Sequence, residues 1–138
     1  MKVLVSGATG HTGKRIVSEL LDAGPSPVAL VRESSDTSEL PEGCETRLGD
    51  LTDLPADACS GMDAVIFAAG SGSGTGPEMT DKVDRDGAMA LVDRAKAADV
   101  DRFVMLSARG VDDPDPASDL YHYAKAKKAA DEHLVASG

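Results

Sequence analysis

The chain has 138 residues, and a chain of this length can bury a hydrophobic core without help from disulfides or a metal ion. Its formal net charge is -10, from 24 acidic and 14 basic residues, and such a surface repels nucleic acid and anionic membranes. Cys44 and Cys59 lack the spacing of zinc ligands, so we expect two free thiols and no metal site. With no signal-like or membrane-spanning apolar run, we expect a single cytoplasmic domain over residues 1–138, with neither a membrane nor a nucleic acid as partner.

Short apolar runs alternate along the chain with segments of helical spacing. The first run, 2–6, ends in a glycine-rich turn, and apolar residues then recur at helical spacing until Gly24. Further strands are predicted at 27–31, 45–48, 64–68 and 102–106, with helices over about 81–98 and from about 120 to 137. This alternation predicts an α/β fold of Rossmann type, a doubly wound parallel sheet in strand order 3-2-1-4-5 within three αβα layers.

The glycine-rich turn Gly7-Ala8-Thr9-Gly10-His11-Thr12-Gly13 joins the first strand to the first helix. That position directs backbone N–H groups and the positive end of a helix at a phosphate. Gly7 permits the sharp turn, Gly10 lets the backbone approach a pyrophosphate, and Gly13 allows the helix to pack closely on the strand. The turn therefore predicts a dinucleotide site, with these cofactor-binding residues: Gly7, Thr9, Gly10, His11, Thr12 and Gly13.

Arg32 follows the second strand, where dinucleotide-binding domains read the adenosine ribose. An acidic residue there binds the 2′-hydroxyl of NAD, whereas an arginine accepts the 2′-phosphate of NADP. The sequence thus predicts NADP as the cofactor, with NAD as the alternative. A surface arginine, or a partner for Glu33, is the other interpretation of Arg32.

Many aspartates are dispersed along the chain rather than gathered in one tail, and they include Asp81, Asp84, Asp86, Asp93, Asp99, Asp101, Asp112, Asp113, Asp115 and Asp119. A dispersed acidic surface is typical of proteins from a high-salt cytoplasm, so we expect a halophilic protein. An ordinary acidic protein is the alternative.

Several further motifs accompany the glycine turn and Val31-Arg32: Gly49-Asp50-Leu51, the segments 63–70, 83–88 and 103–107, and His122-Tyr123 with Ala126-Lys127. Taken together, the chain resembles the extended and atypical short-chain dehydrogenase/reductases, in their small NAD(P)-binding branch related to epimerases, flavin reductases and NmrA-like proteins. The resemblance implies that Asp50 and Leu51 contact the adenine and that Ala68, Ala69 and Gly70 line the cofactor. It also implies a catalytic group of Ser107, Tyr123 and Lys127.

The implied catalytic tyrosine has a chemical rationale of its own. A phenol with a pKa near 10 needs a neighbouring ammonium to act as an acid–base catalyst at neutral pH, and a lysine one helical turn later supplies it. Two such pairs compete, Tyr121 with Lys125 and Tyr123 with Lys127. Helical phase places Tyr123 and Lys127 on the apolar face with Ala126, Ala130 and Leu134, and therefore favours that pair.

Members of the resembling family usually continue with further strands and a substrate region, so the chain looks like a shortened member or the N-terminal part of a larger product. An open sheet edge would favour a homodimer. The first hypothesis is an NADP-dependent enzyme that transfers hydride to a small carbonyl, quinone or flavin-type substrate, or performs epimerase-like chemistry. The alternative is a non-catalytic NADP-binding sensor or interaction module, so whether the chain is an enzyme stays open.

Overall fold

The computed structural model describes residues 1–69, 78, 80–107, 113, 116–117 and 121–137. Its strands are β1 (Lys2–Ser6), β2 (Ser26–Val31), β3 (Glu45–Leu48), β4 (Ala64–Phe67) and β5 (Arg102–Met105). Its helices are α1 (His11–Ala23), α2 (Ala88–Ala97), which a π-helical segment (Asp81–Gly87) precedes, and α3 (Tyr121–Ser137). None of the helices in these described ranges is long and apolar enough to cross a lipid bilayer.

The five strands form one sheet in the order β3-β2-β1-β4-β5, and every neighbouring pair is parallel. This confirms the strand order and the fold class predicted from the sequence. Because Ser6 pairs with both Leu30 and Phe67, the carboxyl ends of the three central strands lie at one edge. In a parallel sheet of this type, that edge is where ligands bind.

Apolar residues of alternate parity cover the two faces of the sheet. On one face, Val17 of α1 packs with Val3, Val5, Ala29 and Val31. On the other, α2 and α3 pack on the sheet through a second cluster, which contains Leu4, Val65, Phe67, Leu91 and Ala130. The result is the expected arrangement of helices on both faces of a buried parallel sheet.

The helix predicted over 81–98 begins differently from the expectation, because its first part, Asp81–Gly87, is π-helical. Each π-type hydrogen bond spans one residue more than an α-helical one, so the helical phase of this segment shifts. Within this segment Asp84 is 0% exposed, on the same helical face as the buried Leu91. The expectation that Asp84 belongs to the acidic surface is therefore wrong.

Candidate functional site

A cleft of about 960 Å³ opens at the carboxyl edge of the sheet, at the upper end of the roughly 300–1,000 Å³ typical of small-molecule sites. The β1–α1 turn forms one wall, and the segments after β2, β3 and β4 form its floor and far side. The π-helical segment and α2, on the sheet face opposite to α1, form the remaining wall. Its lining includes Gly7, Thr9, Gly10, Arg32, Asp50, Leu51, Ala68, Ala69, Lys82 and Val83.

The β1–α1 turn packs so closely on neighbouring backbone that two of its glycines have no room for a side chain. Gly7 has a φ of +75°, and a Cβ there would lie 2.5 Å from the amide nitrogen of Ala69. A Cβ on Gly13 would lie 1.8 Å from the carbonyl oxygen of Gly7. The two glycines thus bring α1 against β1 and bring the turn against the end of β4.

The N-terminus of α1 points its first amides toward this cleft. Gly10 is the N-cap residue, in extended conformation, and no side chain caps the helix there. The first backbone N–H groups of a helix have no intrahelical acceptor, and together with the helix dipole they favour an anion. Thr9 and Gly10 belong to the lining, whereas His11 and Thr12 are exposed on the first turn of α1 and Gly13 is buried.

Arg32 and Ser35 form a tight turn after β2, and both line the cleft. The Arg32 amide donates to Ser35 Oγ at 3.0 Å, and the Ser35 amide donates to the Arg32 carbonyl at 3.0 Å. The Arg32 side chain is exposed. It is therefore free to meet a ligand group at the cleft mouth.

Asp50 belongs to a similar turn after β3. Its Oδ1 accepts from the amide of Thr52 at 2.9 Å and from Thr52 Oγ1 at 2.8 Å. These two bonds lower the pKa of Asp50, and the positive charge of Arg32 lowers it further. Arg32 is thus within electrostatic reach of Asp50.

The charges around the cleft differ from those of the chain as a whole. Of the described residues in the lining, three are basic and three are acidic: Arg32, Lys82, Arg94, Asp50, Asp53 and Asp86. The chain itself carries a formal net charge of -10. The cleft is therefore a locally balanced region in an acidic protein, and an anionic ligand meets less repulsion there than elsewhere on the surface.

Lys127 lies inside the protein, between α3 and the sheet. It is only 2% exposed, and its ammonium lies 5.0 Å from the centroid of the Phe67 ring. Burial lowers the pKa of Lys127, while the carboxylates of Asp84 and Asp131 act in the opposite direction. The ammonium is thus held among an aromatic face and two acidic side chains.

Tyr123 is half-buried one helical turn before Lys127. Burial raises the pKa of Tyr123, and the negative charge of Asp84 raises it further. This direction is opposite to the one that a catalytic phenolate needs. Asp84 therefore acts on both Tyr123 and Lys127, and it favours the protonated form of each.

Ser107 follows β5, next to the end of β4. Its Oγ donates a hydrogen bond of 2.5 Å to Asp131 Oδ2, on α3. Ser107 and Lys127 are therefore linked through one acidic side chain, since Asp131 also acts electrostatically on Lys127.

The competing pair lies on another face of α3. Lys125 is exposed, and its ammonium lies 5.1 Å from the centroid of the Tyr121 ring. Both residues line a shallow surface groove with Lys128, Ala129 and Glu132. The helix thus separates the two tyrosine–lysine pairs, because Lys125 is exposed whereas Lys127 is buried.

A protein-family model described as NAD(P)H-binding matches residues 7–138. The chain belongs to this NAD(P)H-binding family. The match confirms the resemblance to NAD(P)-binding proteins drawn from the motifs. It covers the glycine turn, the cleft and α3.

Relatives of this NAD(P)H-binding chain include proteins named as epimerases. The uncharacterized sugar epimerase YhfK of Bacillus subtilis is 39% identical over 144 residues, which cover 100% of this chain and 67% of YhfK. A Bacillus halodurans structure described as an NAD-dependent epimerase/dehydratase superposes with a TM-score of 0.90 at 38% identity, covering 97% of this chain and 64% of that one. MoeE5, solved with UDP-glucose and NAD, superposes with a TM-score of 0.80 at 27% identity, covering 99% of this chain and 49% of MoeE5. The chain spans between half and two thirds of the length of these proteins.

The cleft fits the cofactor that the family implies. Gly10, the N-cap residue of α1, lines the cleft without a side chain, and no side chain caps the helix there, so its first amides are available to a phosphate group. Gly70, which the resemblance places beside the cofactor, lies outside the described residues.

Two acidic residues beside the expected catalytic group, Asp84 and Asp131, were not predicted from the sequence as part of it. Asp84 was grouped with surface aspartates because of its charge, although it stands seven residues before the buried Leu91 and therefore on the same helical face. Asp131 was not singled out, although it stands four residues after Lys127 and therefore on the same face of α3.

Proposed function

We propose that this NAD(P)H-binding chain takes NADP in the cleft, with the pyrophosphate at the N-terminus of α1 and the 2′-phosphate at Arg32. The observation that carries the proposal is the placement of Arg32 in the same cleft as Thr9 and Gly10. An arginine there offers a charge-assisted contact to the 2′-phosphate, whereas no acidic side chain occupies position 32 to hold the 2′-hydroxyl of NAD. NAD, which the solved structure of MoeE5 contains, is the competing cofactor.

The remaining cleft residues would hold the other parts of the dinucleotide. Asp50 and Leu51 would contact the adenine, and Ala68 and Ala69 would line the path toward the nicotinamide. The first-turn residues His11 and Thr12 would offer their amides to the phosphates. When bound, the cofactor supplies or accepts a hydride at its nicotinamide ring.

The proposed chemistry is hydride transfer to or from a small carbonyl, quinone or flavin-type substrate, or an epimerase-like reaction. Tyr123 would exchange a proton with the substrate oxygen, Lys127 would supply positive charge beside it, and Ser107 would orient that oxygen. Tyr123 and Lys127 lie on α3 and Ser107 follows β5, beside the strand end from which Ala68 and Ala69 line the cleft; none of the three is itself among the lining residues.

A non-catalytic NADP-binding sensor or interaction module is the second candidate function. The raised pKa of Tyr123 favours it, because a phenol that keeps its proton is a poor base. NADPH oxidation across a panel of carbonyls, quinones and flavins separates the two candidates. Oxidation above the rate without protein supports the enzyme, and tight binding without oxidation supports the module.

Calorimetric titration with NADP and NAD tests the cofactor assignment. A charge-assisted contact to the 2′-phosphate is worth about 1.5–3 kcal/mol, so NADP should bind about 10- to 100-fold more tightly than NAD at modest salt. Arg32→Ala should weaken NADP and leave NAD nearly unchanged, and Arg32→Asp should reverse the preference. Arg102→Ala is the matched control, because Arg102 is exposed at the opposite edge of the sheet. Equal affinities in the native chain, or equal losses in Arg32→Ala, would contradict the assignment.

A further inference from the structure

The hydrogen bond between Ser107 and Asp131 joins two elements of the candidate active site. Ser107 lies after β5, at the carboxyl edge of the sheet, and Asp131 lies on α3 one turn beyond Lys127. The distance from Ser107 Oγ to Asp131 Oδ2 is 2.5 Å, within the range of charge-assisted O–H···O bonds. Both side chains are half-buried.

The direction of this bond follows from the chemistry of its two groups. An ionised carboxylate has no hydrogen and can only accept, so the hydroxyl of Ser107 must be the donor. A serine hydroxyl has one hydrogen, and here that hydrogen is directed at Asp131. Toward any other neighbour, Ser107 Oγ then offers only its lone pairs.

We propose that Asp131 is a specificity-determining positioning residue, which makes Ser107 a hydrogen-bond acceptor toward the substrate and so selects a substrate hydroxyl over a carbonyl. This inference rests on the proposed function, because it takes Ser107 as the residue that meets the substrate oxygen. A hydroxyl can donate to the lone pairs of Ser107. A carbonyl oxygen is itself only an acceptor and would face those lone pairs without a hydrogen between them.

The charges around Asp131 support its role as the acceptor. The carboxylate of Asp131 lies within electrostatic reach of the buried ammonium of Lys127 and acts to raise the pKa of Lys127, against the effect of burial. The hydrogen bond with Ser107 holds Asp131 against the end of β5, and the substrate class that follows is an alcohol.

A matched pair of small probes tests the inference: cyclohexanol and cyclohexanone, which differ at the oxygen-bearing carbon. Each is titrated into the chain saturated with NADP, and binding is measured by ligand-observed NMR. One neutral hydrogen bond is worth about 0.5–1.5 kcal/mol, so cyclohexanol should bind about 2- to 10-fold more tightly. Asp131→Ala frees the hydroxyl to rotate, and Ser107→Ala removes it, so each should bring the ratio close to one. Glu132→Ala, an exposed neighbour on the same helix, should keep the native ratio.

Asp131→Asn serves if the alanine variant does not fold. The preference for cyclohexanol should fall less there than in Asp131→Ala, because the asparagine oxygen can still accept from Ser107 while its NH2 group can also donate. Asp131→Leu, which keeps the branched shape and has no oxygen, should abolish the preference. The inference is overturned if cyclohexanone binds as tightly as cyclohexanol, if neither probe binds, or if the Asp131 variants keep the native preference. Calorimetry with NADP on the same samples separates the two proposals. Failure to bind NADP contradicts the proposed function, whereas intact NADP binding without the alcohol preference contradicts only this inference.

Discussion

Gly10 and Gly13 stand in the same turn, yet an added methyl group would meet different surroundings at each. At Gly13 a Cβ would lie 1.8 Å from the carbonyl oxygen of Gly7, which is backbone and has no room to move. At Gly10 the nearest such atom is 3.4 Å away, and the φ of -79° suits any residue. One glycine therefore serves the packing of the fold, and the other keeps the cleft open.

This difference predicts opposite outcomes for two alanine variants. Gly13→Ala should lower the free energy of unfolding by about 3 kcal/mol or more, since overpacking against backbone is costly. Gly10→Ala should cost less than about 1 kcal/mol and should instead weaken NADP, because its methyl group projects where the pyrophosphate is proposed to lie. Urea denaturation and calorimetry check the two effects. A Gly10→Ala chain that binds NADP with native affinity would place the pyrophosphate elsewhere.

Some site residues could be placed from the sequence, and others could not. The turn glycines and Arg32 could be placed because their strands are strongly apolar and end at one edge of the sheet. Asp84 was assigned to the surface because of its charge, although its spacing to the buried Leu91 places both on one helical face. The bond from Ser107 to Asp131 joins residues far apart in the chain, and local periodicity carries no information on such pairs.

Helix α3 is the element whose two faces bear most directly on function. Ala126, Lys127 and Ala130 are buried along one face, whereas Lys125 is exposed on another with Tyr121 beside it. The apolar periodicity was sufficient to predict which residues share a face, because the helix covers a buried sheet. The catalytic role of the inward pair remains a prediction.

Two conservative variants of α3 test that role. If the chain oxidises NADPH, Tyr123→Phe should lower kcat by about 100-fold through loss of acid–base catalysis, and Tyr121→Phe should change kcat little. Because burial and Asp84 raise the pKa of Tyr123, Asp84→Asn should shift the basic limb of the pH–rate profile to lower pH. Equal losses of kcat at the two tyrosines would remove Tyr123 from the catalytic role.

At the scale of the whole molecule, the acidic surface predicts a dependence of stability on salt. The net charge of -10 makes surface carboxylates repel one another, and salt near 1 M reduces the Debye length to about 3 Å. If the dispersed aspartates are a high-salt adaptation, Tm should rise from low salt to about 1 M KCl. A Tm that is flat or falls over that range would favour an ordinary acidic protein.

The edge strand β5 bears on the expected homodimer. β5 is an edge strand of the described sheet, with Val104 57% exposed and Leu106, just beyond it, 43% exposed. The expected homodimer and the single domain over residues 1–138 stay predictions.

The parallel sheet itself could be predicted throughout, because its central strands are nearly continuous apolar runs buried on both faces.

The most direct test of the central claim is to map NADP binding onto the chain by amide chemical shifts. On titration of the isotope-labelled protein, the largest shift changes should fall on the turn from Gly7 to Gly13, on Arg32 and on Asp50. The groove of Tyr121 and Lys125, on the outer face of α3, should change little. Shift changes confined to that groove, or none at saturating NADP, would contradict the account.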